Sequence, residues 1–246
     1  LGLPLTASKE APEKSLVNQL LTTAYQGTKN SSEATFNSAK VLAESLGATF
    51  LSWSIEEEVQ SYTQTIEGVL GRALTWEQDD ISLQNIQSRT RSPIIWLVAN
   101  LKNALLLSTS NRSEGDVGYA TMDGDTSGSI SPIAGVDKDF VIHWLQWAEK
   151  NLDRPGLREV NALTPTAELR PQERSQTDEK DLMPYSLLVE IERLAIRDRH
   201  SPLEVFVALR KKNEFAEAEL KEYIKKFFRL WSRNQWKRER LAPSFH

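Results

Sequence analysis

The sequence predicts an α/β fold, a parallel sheet flanked by helices, followed by a helical C-terminal part. Three observations lead there: short apolar runs at Gln19–Tyr25, Ala48–Ser54 and Ala104–Ser108, helical periodicity in the stretches between them, and helical patterning from Tyr185 to Trp236. Strands separated by helices pair in parallel, because a parallel crossover needs a dozen or more residues.

In order, the Thr-rich run Gln19–Tyr25 reads as a buried strand, and Gly27-Thr28-Lys29-Asn30-Ser31-Ser32 as the turn after it. Ser31 or Ser32 caps a helix whose inner face is Phe36, Ala39, Val41, Leu42 and Leu46, and Gly47 stops it. Ala48–Ser54 is the second strand. Ile55–Leu70 is a second helix, with Glu56, Glu57 and Glu58 at its positive end. Asp80–Asn103 is a long helix kinked or broken near Pro93, leading into a third strand, Ala104–Ser108. The stretch Thr109–Asp137, with Gly115, Gly118, Gly124, Gly128 and Gly135, is a loop before a helix Lys138–Lys150 that sets Trp144 and Trp147 on one side. Leu163–Pro184 is polar and aperiodic, a length of loop that in compact domains serves as a lid or is disordered. From Tyr185 the chain is helical to Trp236, broken at His200-Ser201-Pro202.

Composition narrows the function. With 39% hydrophobic and 26% charged residues the 246-residue chain is globular, and no apolar run approaches the ~20 residues that cross a bilayer, so the expectation is a soluble, cytoplasmic protein with no membrane partner. The absence of Cys excludes disulfides, thiolate metal sites and a Cys nucleophile. The net charge is −4, but Arg210–Arg240 holds 11 Lys and Arg against 5 Asp and Glu, a local +6 that leaves −10 elsewhere. Phe215, Leu220, Ile224, Phe227, Phe228 and Trp231 read as a core stripe of this basic helix; only Trp236–Arg240 is reserved for facing phosphate. No nucleic-acid partner is expected.

In parallel sheets ligands bind at the carboxyl ends of strands, which directs attention to the loops after Tyr25 and Ser108. Ser108–Glu114 and Gly118–Asp125 supply carboxylates and hydroxyls, hard oxygen ligands that suit Mg²⁺ shared with phosphates. Lys138 adds a cation at a helix N-terminus, where backbone N–H groups already favour an anion. On composition alone, a Gly/Asp-rich turn before a capped helix remains the simpler account. Neither a Walker loop nor a dinucleotide fingerprint occurs, and His143, His200 and His246 are not placed for a triad or a zinc site.

Four ordered motifs resemble those of the NAD⁺ synthetase family, in particular the synthetase domain of its long, glutamine-dependent members. Asn85-Ile86-Gln87-Ser88-Arg89 is similar to the family's N-I-Q-A-R helix. Thr109 to Glu114, continued by Gly118-Tyr119-Ala120-Thr121 and Gly124-Asp125, resembles T-x-N-x-S-E…G-Y-A-T…G-D. Pro165–Pro171 with Gln176-Thr177-Asp178-Glu179 and Pro184-Tyr185 resembles P-[ST]-A-E-L-R-P…Q-x-D-E…P-Y, and Trp236-Lys237-Arg238 resembles a basic segment near the domain's end.

The resemblance implies a domain of the adenine-nucleotide alpha-hydrolase-like (PP-loop) class and a carbon–nitrogen ligase that amidates deamido-NAD⁺ to NAD⁺. ATP adenylates the nicotinate carboxylate, releasing pyrophosphate, and ammonia then displaces AMP. Carried over by position, Lys138 and Thr166 are catalytic; Thr109, Lys138 and Thr166 bind ATP; Glu114 and Thr166 meet Mg²⁺. Asn85, Arg89, Glu114, Tyr119, Asp125 and Lys237 line the deamido-NAD⁺ side. A homo-oligomer is implied; Ile94–Val98, apolar beyond what one helix face requires, reads either as its contact or as a helix buried within its own domain. The family's S-G-G-x-D-S pyrophosphate loop does not occur in these residues, and neither does the glutaminase Cys that frees ammonia from glutamine. The expectation is therefore most of one synthetase domain, divided into residues 1–162, a lid 163–184 and a helical part 185–246, inactive alone. The competing expectations are a non-catalytic nucleotide-binding relative and, third, an adenylating enzyme acting on RNA.

Overall fold

The computed structural model describes residues 12–152, 154–174 and 176–245. In chain order the elements are α1 (Pro12–Leu20), β1 (Thr22–Gly27), α2 (Glu33–Leu46), β2 (Thr49–Ser54), α3 (Glu56–Leu70), α4 (Asp80–Lys102), α5 (Arg112–Val117), α6 (Lys138–Asn151), α7 (Leu157–Asn161), α8 (Asp178–Asp181), α9 (Tyr185–Glu192), α10 (Pro202–Arg210), α11 (Glu217–Arg233) and α12 (Gln235–Arg238). A 3₁₀ turn lies at Gln172–Arg174, and a π-helical turn, Arg193–Arg197, extends α9. They group into two compact units: the described residues up to Arg91 with Ile142–Gln176, and Ser92–Val141 with the chain from Thr177 onward. No helix among the described residues is long and apolar enough to cross a membrane.

The first unit is built on a β-α-β core. β1 and β2 pair in parallel, from Thr22 opposite Thr49 to Gly27 opposite Ser54. α2 makes the crossover: the Ser32 side chain accepts the Thr35 N–H at its start, and Gly47, at φ +82°, donates to the carbonyls of Ala43 and Glu44 at its end. Only a residue without Cβ suits that turn, since a Cβ on Gly47 would also stand 2.8 Å from the Lys14 carbonyl. Edge-to-face contacts of Phe36 with Tyr25 at 5.3 Å and with Phe50 at 6.0 Å seat α2 on the strands. The expected strand start at Gln19 shifts, because Pro12 opens a helix whose last turn takes Gln19 and Leu20, and the strand begins at Thr22. Glu56, Glu57 and Glu58 sit in the first turn of α3 as expected.

The expected third strand is not formed. Leu106 and Ser108 bond residues 129–130 through Ser129 N–H to the Leu106 carbonyl and Ser108 N–H to the Ile130 carbonyl, which amounts to one isolated parallel bridge, Leu107 with Ile130. A strand needs a continuous partner, and here the partner turns away within two residues.

The second unit is helical. Leu188, Ile191, Val205 and Phe227 are completely buried where α9, α10 and α11 meet. α11 buries Leu220, Ile224 and Phe227 at the expected four- and three-residue steps, and keeps Lys221 and Lys225 in solvent. Three breaks interrupt the helices rather than one, the last of them at Asn234 between α11 and α12. Ser201 and Glu204 form a capping box with Pro202 in the first turn, and a second break after Arg210 passes through Asn213 at φ +55°. Within the expected lid, Thr177 caps the short α8.

Candidate functional site

In the first unit a cavity of about 280 Å³ opens at the carboxyl end of β1, lined by Ala24, Tyr25, Gln26, Ser31, Thr35, Arg91, Thr166, Ala167 and Glu168. Thr166 is the expected site residue here. Its hydroxyl donates to the Gln176 carbonyl at 2.8 Å and accepts the Glu168 N–H at 3.3 Å, so its orientation is fixed from both sides. Glu168, at φ +46°, turns its carboxylate onto the start of α2, where it accepts from Ser32 N–H at 3.2 Å and from the Thr35 hydroxyl at 2.7 Å. A carboxylate at a helix N-terminus satisfies donors that the helix itself leaves open. Arg91 donates from Nε to the Gln26 carbonyl at 3.1 Å. Asn85 and Arg89 stand one turn apart on α4, Asn85 half-buried and Arg89 exposed.

In the second unit Glu114 and Lys138 come together. α5 begins with a capping box: Asn111 accepts the Glu114 N–H at 3.1 Å, and Glu114 Oε2 accepts the Asn111 N–H at 3.4 Å. The other oxygen, Oε1, meets Lys138 Nζ at 3.1 Å, the pair about one-fifth exposed on each side. Lys138 lies at the first position of α6 and over the Tyr185 ring at 5.8 Å. The Tyr185 hydroxyl donates to buried Asp178 at 2.8 Å, and burial together with the Asp178 charge pushes that phenol well above its ordinary range. Tyr119 donates to Asp181 at 2.9 Å. Lys237 donates to the carbonyls of Gly118 and Ala120, at 2.8 and 2.7 Å, and so brackets Tyr119. Asp125 accepts the Thr121 N–H, and its own carbonyl accepts from the Ser108 and Ser110 hydroxyls at 3.1 and 3.4 Å. Thr109, between those two buried serines, is exposed.

Two features escaped the sequence. Trp236–Arg240, reserved for phosphate, spends donors on the protein: Arg238 donates to the carbonyls of Asp116 and Trp231, at 2.8 and 2.7 Å. Beneath α5 lies a buried carboxylate, Glu192, 3% exposed. Its Oε2 accepts from the Ser113 hydroxyl at 3.4 Å and lies 3.6 Å from Arg112 Nε, while its Oε1 has no partner among the described residues. Burial, reinforced by the Asp116 charge, pushes Glu192 up to about 8, and burial pushes Asp116 up to about 6. Polar spacing gave no signal for Glu192, which occupies an otherwise apolar helix position.

Among the described residues no group of three or more acidic or His side chains is arranged to hold a divalent cation. The Glu114 carboxylate is a hard oxygen donor of the kind that would suit Mg²⁺.

The family model described as NAD synthase matches residues 13–240. The chain belongs to the NAD synthase family. Among relatives, it is 34% identical over 252 residues to a glutamine-dependent NAD(+) synthetase of Oryza sativa subsp. indica, across 95% of this chain and 34% of that one. A crystal structure of a glutamine-dependent NAD(+) synthetase from Cytophaga hutchinsonii superposes with a TM-score of 0.83 at 57% identity, covering 95% of this chain and 37% of that one. The glutamine-dependent NAD+ synthetase of Acinetobacter baumannii, solved in complex with ADP, shares the fold at 22% identity and a TM-score of 0.54, over 94% of this chain and 39% of that one. The chain thus spans about a third of the length of these NAD synthase relatives.

Proposed function

We propose that this chain carries the amidating centre of a glutamine-dependent NAD⁺ synthetase, a ligase that converts deamido-NAD⁺ to NAD⁺ through an adenylated carboxylate, with ammonia from glutamine hydrolysis. Lys138 and Thr166 are assigned to the phosphates of ATP, with Thr109 on the same nucleotide. Asn85, Arg89, Glu114, Tyr119, Asp125 and Lys237 are assigned to deamido-NAD⁺. Glu114 and the Thr166 hydroxyl are the groups we assign to Mg²⁺, which when bound would offset phosphate charge. The adenine nucleotide is supported by the ADP in the Acinetobacter baumannii protein.

The observation that carries the proposal is the Glu114–Lys138 pair. An ammonium at the start of a 14-residue helix, held 3.1 Å from a carboxylate, sets a cation beside the helix's own positive end. That combination attracts a polyphosphate, to which Lys138 transfers from Glu114, leaving the carboxylate free for a cation. No side chain here needs to act as a strong base, because adenylation supplies the leaving group and positioned charge does the rest.

The test follows NAD⁺ formation from deamido-NAD⁺, ATP and ammonia by the whole gene product and by its Lys138→Ala variant. Loss of turnover with retained fold supports the assignment, and unchanged turnover overturns it. ATP binding in calorimetry without pyrophosphate release would instead identify a non-catalytic nucleotide-binding relative.

A further inference from the structure

The geometry points to a polar stripe on α4, Asp80, Gln84 and Gln87, as a set of positioning residues that holds the Thr166 loop in its binding-competent shape, with Gln87 its centre. The inference rests on the assignment of Thr166 to the nucleotide and extends it to residues that touch no ligand.

The three side chains recur at i, i+4 and i+7, so they share one face of the helix. Each grips a different point of the loop. Asp80 takes Arg170 in a two-pronged ion pair, Nε to Oδ1 at 2.9 Å and the terminal nitrogen to Oδ2 at 2.8 Å. Gln84 accepts from the Gln176 side chain at 3.2 Å, and the Gln176 oxygen accepts in turn from the backbone N–H groups of Leu169 and Arg170 at 3.1 and 3.3 Å. Gln87, 3% exposed, donates to the Leu169 carbonyl at 2.7 Å.

Gln87 also reaches the loop after β1. Its oxygen accepts from Asn30 at 2.9 Å and from the Thr28 hydroxyl at 3.3 Å, while Asn30 donates to the same Leu169 carbonyl at 3.3 Å. Thr28, Asn30, Gln87 and the Leu169 carbonyl thus close a buried ring in which the Gln87 amide uses both ends. One side chain ties the loop after β1 to the loop that bears Thr166, three residues from Leu169. A buried amide so placed admits one arrangement, since any other leaves unpaired polar groups. The loop that would otherwise sample many shapes is held in the one that presents Thr166 to the cavity.

The consequence is a population effect. If the ring is broken, the competent loop becomes a fraction of the ensemble, and apparent nucleotide affinity falls by that fraction while the bound complex reacts as before. The experiment measures ATP KM and kcat, and amide exchange of residues 166–170, in the whole gene product carrying Gln87→Leu. We expect exchange in that segment to rise about tenfold, KM for ATP to rise about tenfold and kcat to stay within about twofold. A merely structural residue would lower kcat through loss of folded protein and leave KM unchanged, which overturns the inference. Unchanged exchange in 166–170 also overturns it. Arg170→Met, at a partly exposed position that tolerates replacement, guards against a Gln87 variant that does not fold and is expected to shift KM in the same direction by a smaller factor. Thr166→Val separates the two readings: if that variant keeps its ATP affinity, the nucleotide assignment fails, whereas loop exchange still decides the role of Gln87.

Discussion

Around Leu169 the buried contacts are neutral amides and hydroxyls, with the Asp80–Arg170 ion pair at a partly exposed margin. Around Glu114 they are charges: Lys138 on Glu114, Arg112 on Asp137 and near Glu192, and two carboxylates, buried Glu192 and half-buried Asp116, that hold their protons more tightly than usual. Both regions fix a loop, by different means. A neutral network keeps its strength at any pH and salt concentration, whereas a charged one is tuned by both. The difference suggests a division of labour in which one loop is shaped by rigidity and the other by electrostatic potential.

The sharpest break should come at Lys138. Lys138→Met leaves Glu114 without its cation and removes the charge over Tyr185; NAD⁺ formation is expected to fall by about 10²-fold or more in kcat. A variant with wild-type turnover would end the idea that charge does the chemistry in this region.

Next in size is Glu192. Its folded-state affinity for a proton, near 8, exceeds the ordinary carboxylate value of 4.5, so the folded protein holds the proton more tightly than the unfolded chain. Stability on this account is greatest below about pH 4.5 and declines as pH rises toward 8, by up to about 1.4 kcal/mol per pH unit. The charged groups facing Glu192 are Arg112, Asp116 and Asp137. Glu192→Gln, neutral throughout, should flatten that slope and be more stable than the wild type at pH 8 by a few kcal/mol in denaturant titrations. An unaltered pH slope would show that Glu192 is ionised in the folded protein.

Asn30→Leu probes the neutral side. It strips the Gln87 ring of a donor at a position 5% exposed, and is expected to cost about 2 kcal/mol, equally at pH 5 and pH 8. A pH-dependent loss would contradict the contrast between the regions. The smallest effect belongs to the exposed pair Arg174–Glu77 beside the same loop: Arg174→Gln should leave the denaturation midpoint nearly unchanged, and the remaining difference should vanish in high salt.

Features decided by neighbours in sequence were legible in advance. Ser32 as a cap, Gly47 as a stop and three glutamates opening α3 follow from local hydrogen bonding and the helix dipole. The buried stripe of α11 follows from its period, whereas Glu114 and Lys138 were singled out separately and only the structure brings them together. What was not legible depends on partners distant in sequence. Ala104–Ser108 has strand composition, yet whether it pairs is settled by what lies beside it. Glu168 stood inside a recognised motif without a role because its bond to Thr35 spans 133 residues. Gln87 lay between Asn85 and Arg89, which were singled out, and its own function emerged only when Leu169 arrived beside it.

Sequence distance has one more consequence. Thr23 bonds Thr49 across 26 residues, and α2 between them carries its own start and stop signals, so the β1–α2–β2 core closes a short loop during folding. Asn30 bonds Leu169 across 139 residues, a closure that costs about 1.5 kcal/mol more in chain entropy. Contacts of such range form late in folding, after local structure has paired. The Thr166 loop is therefore expected to be the last part of the first unit to assemble, and its arrival coincides with the moment at which the cavity beside β1 acquires its final wall.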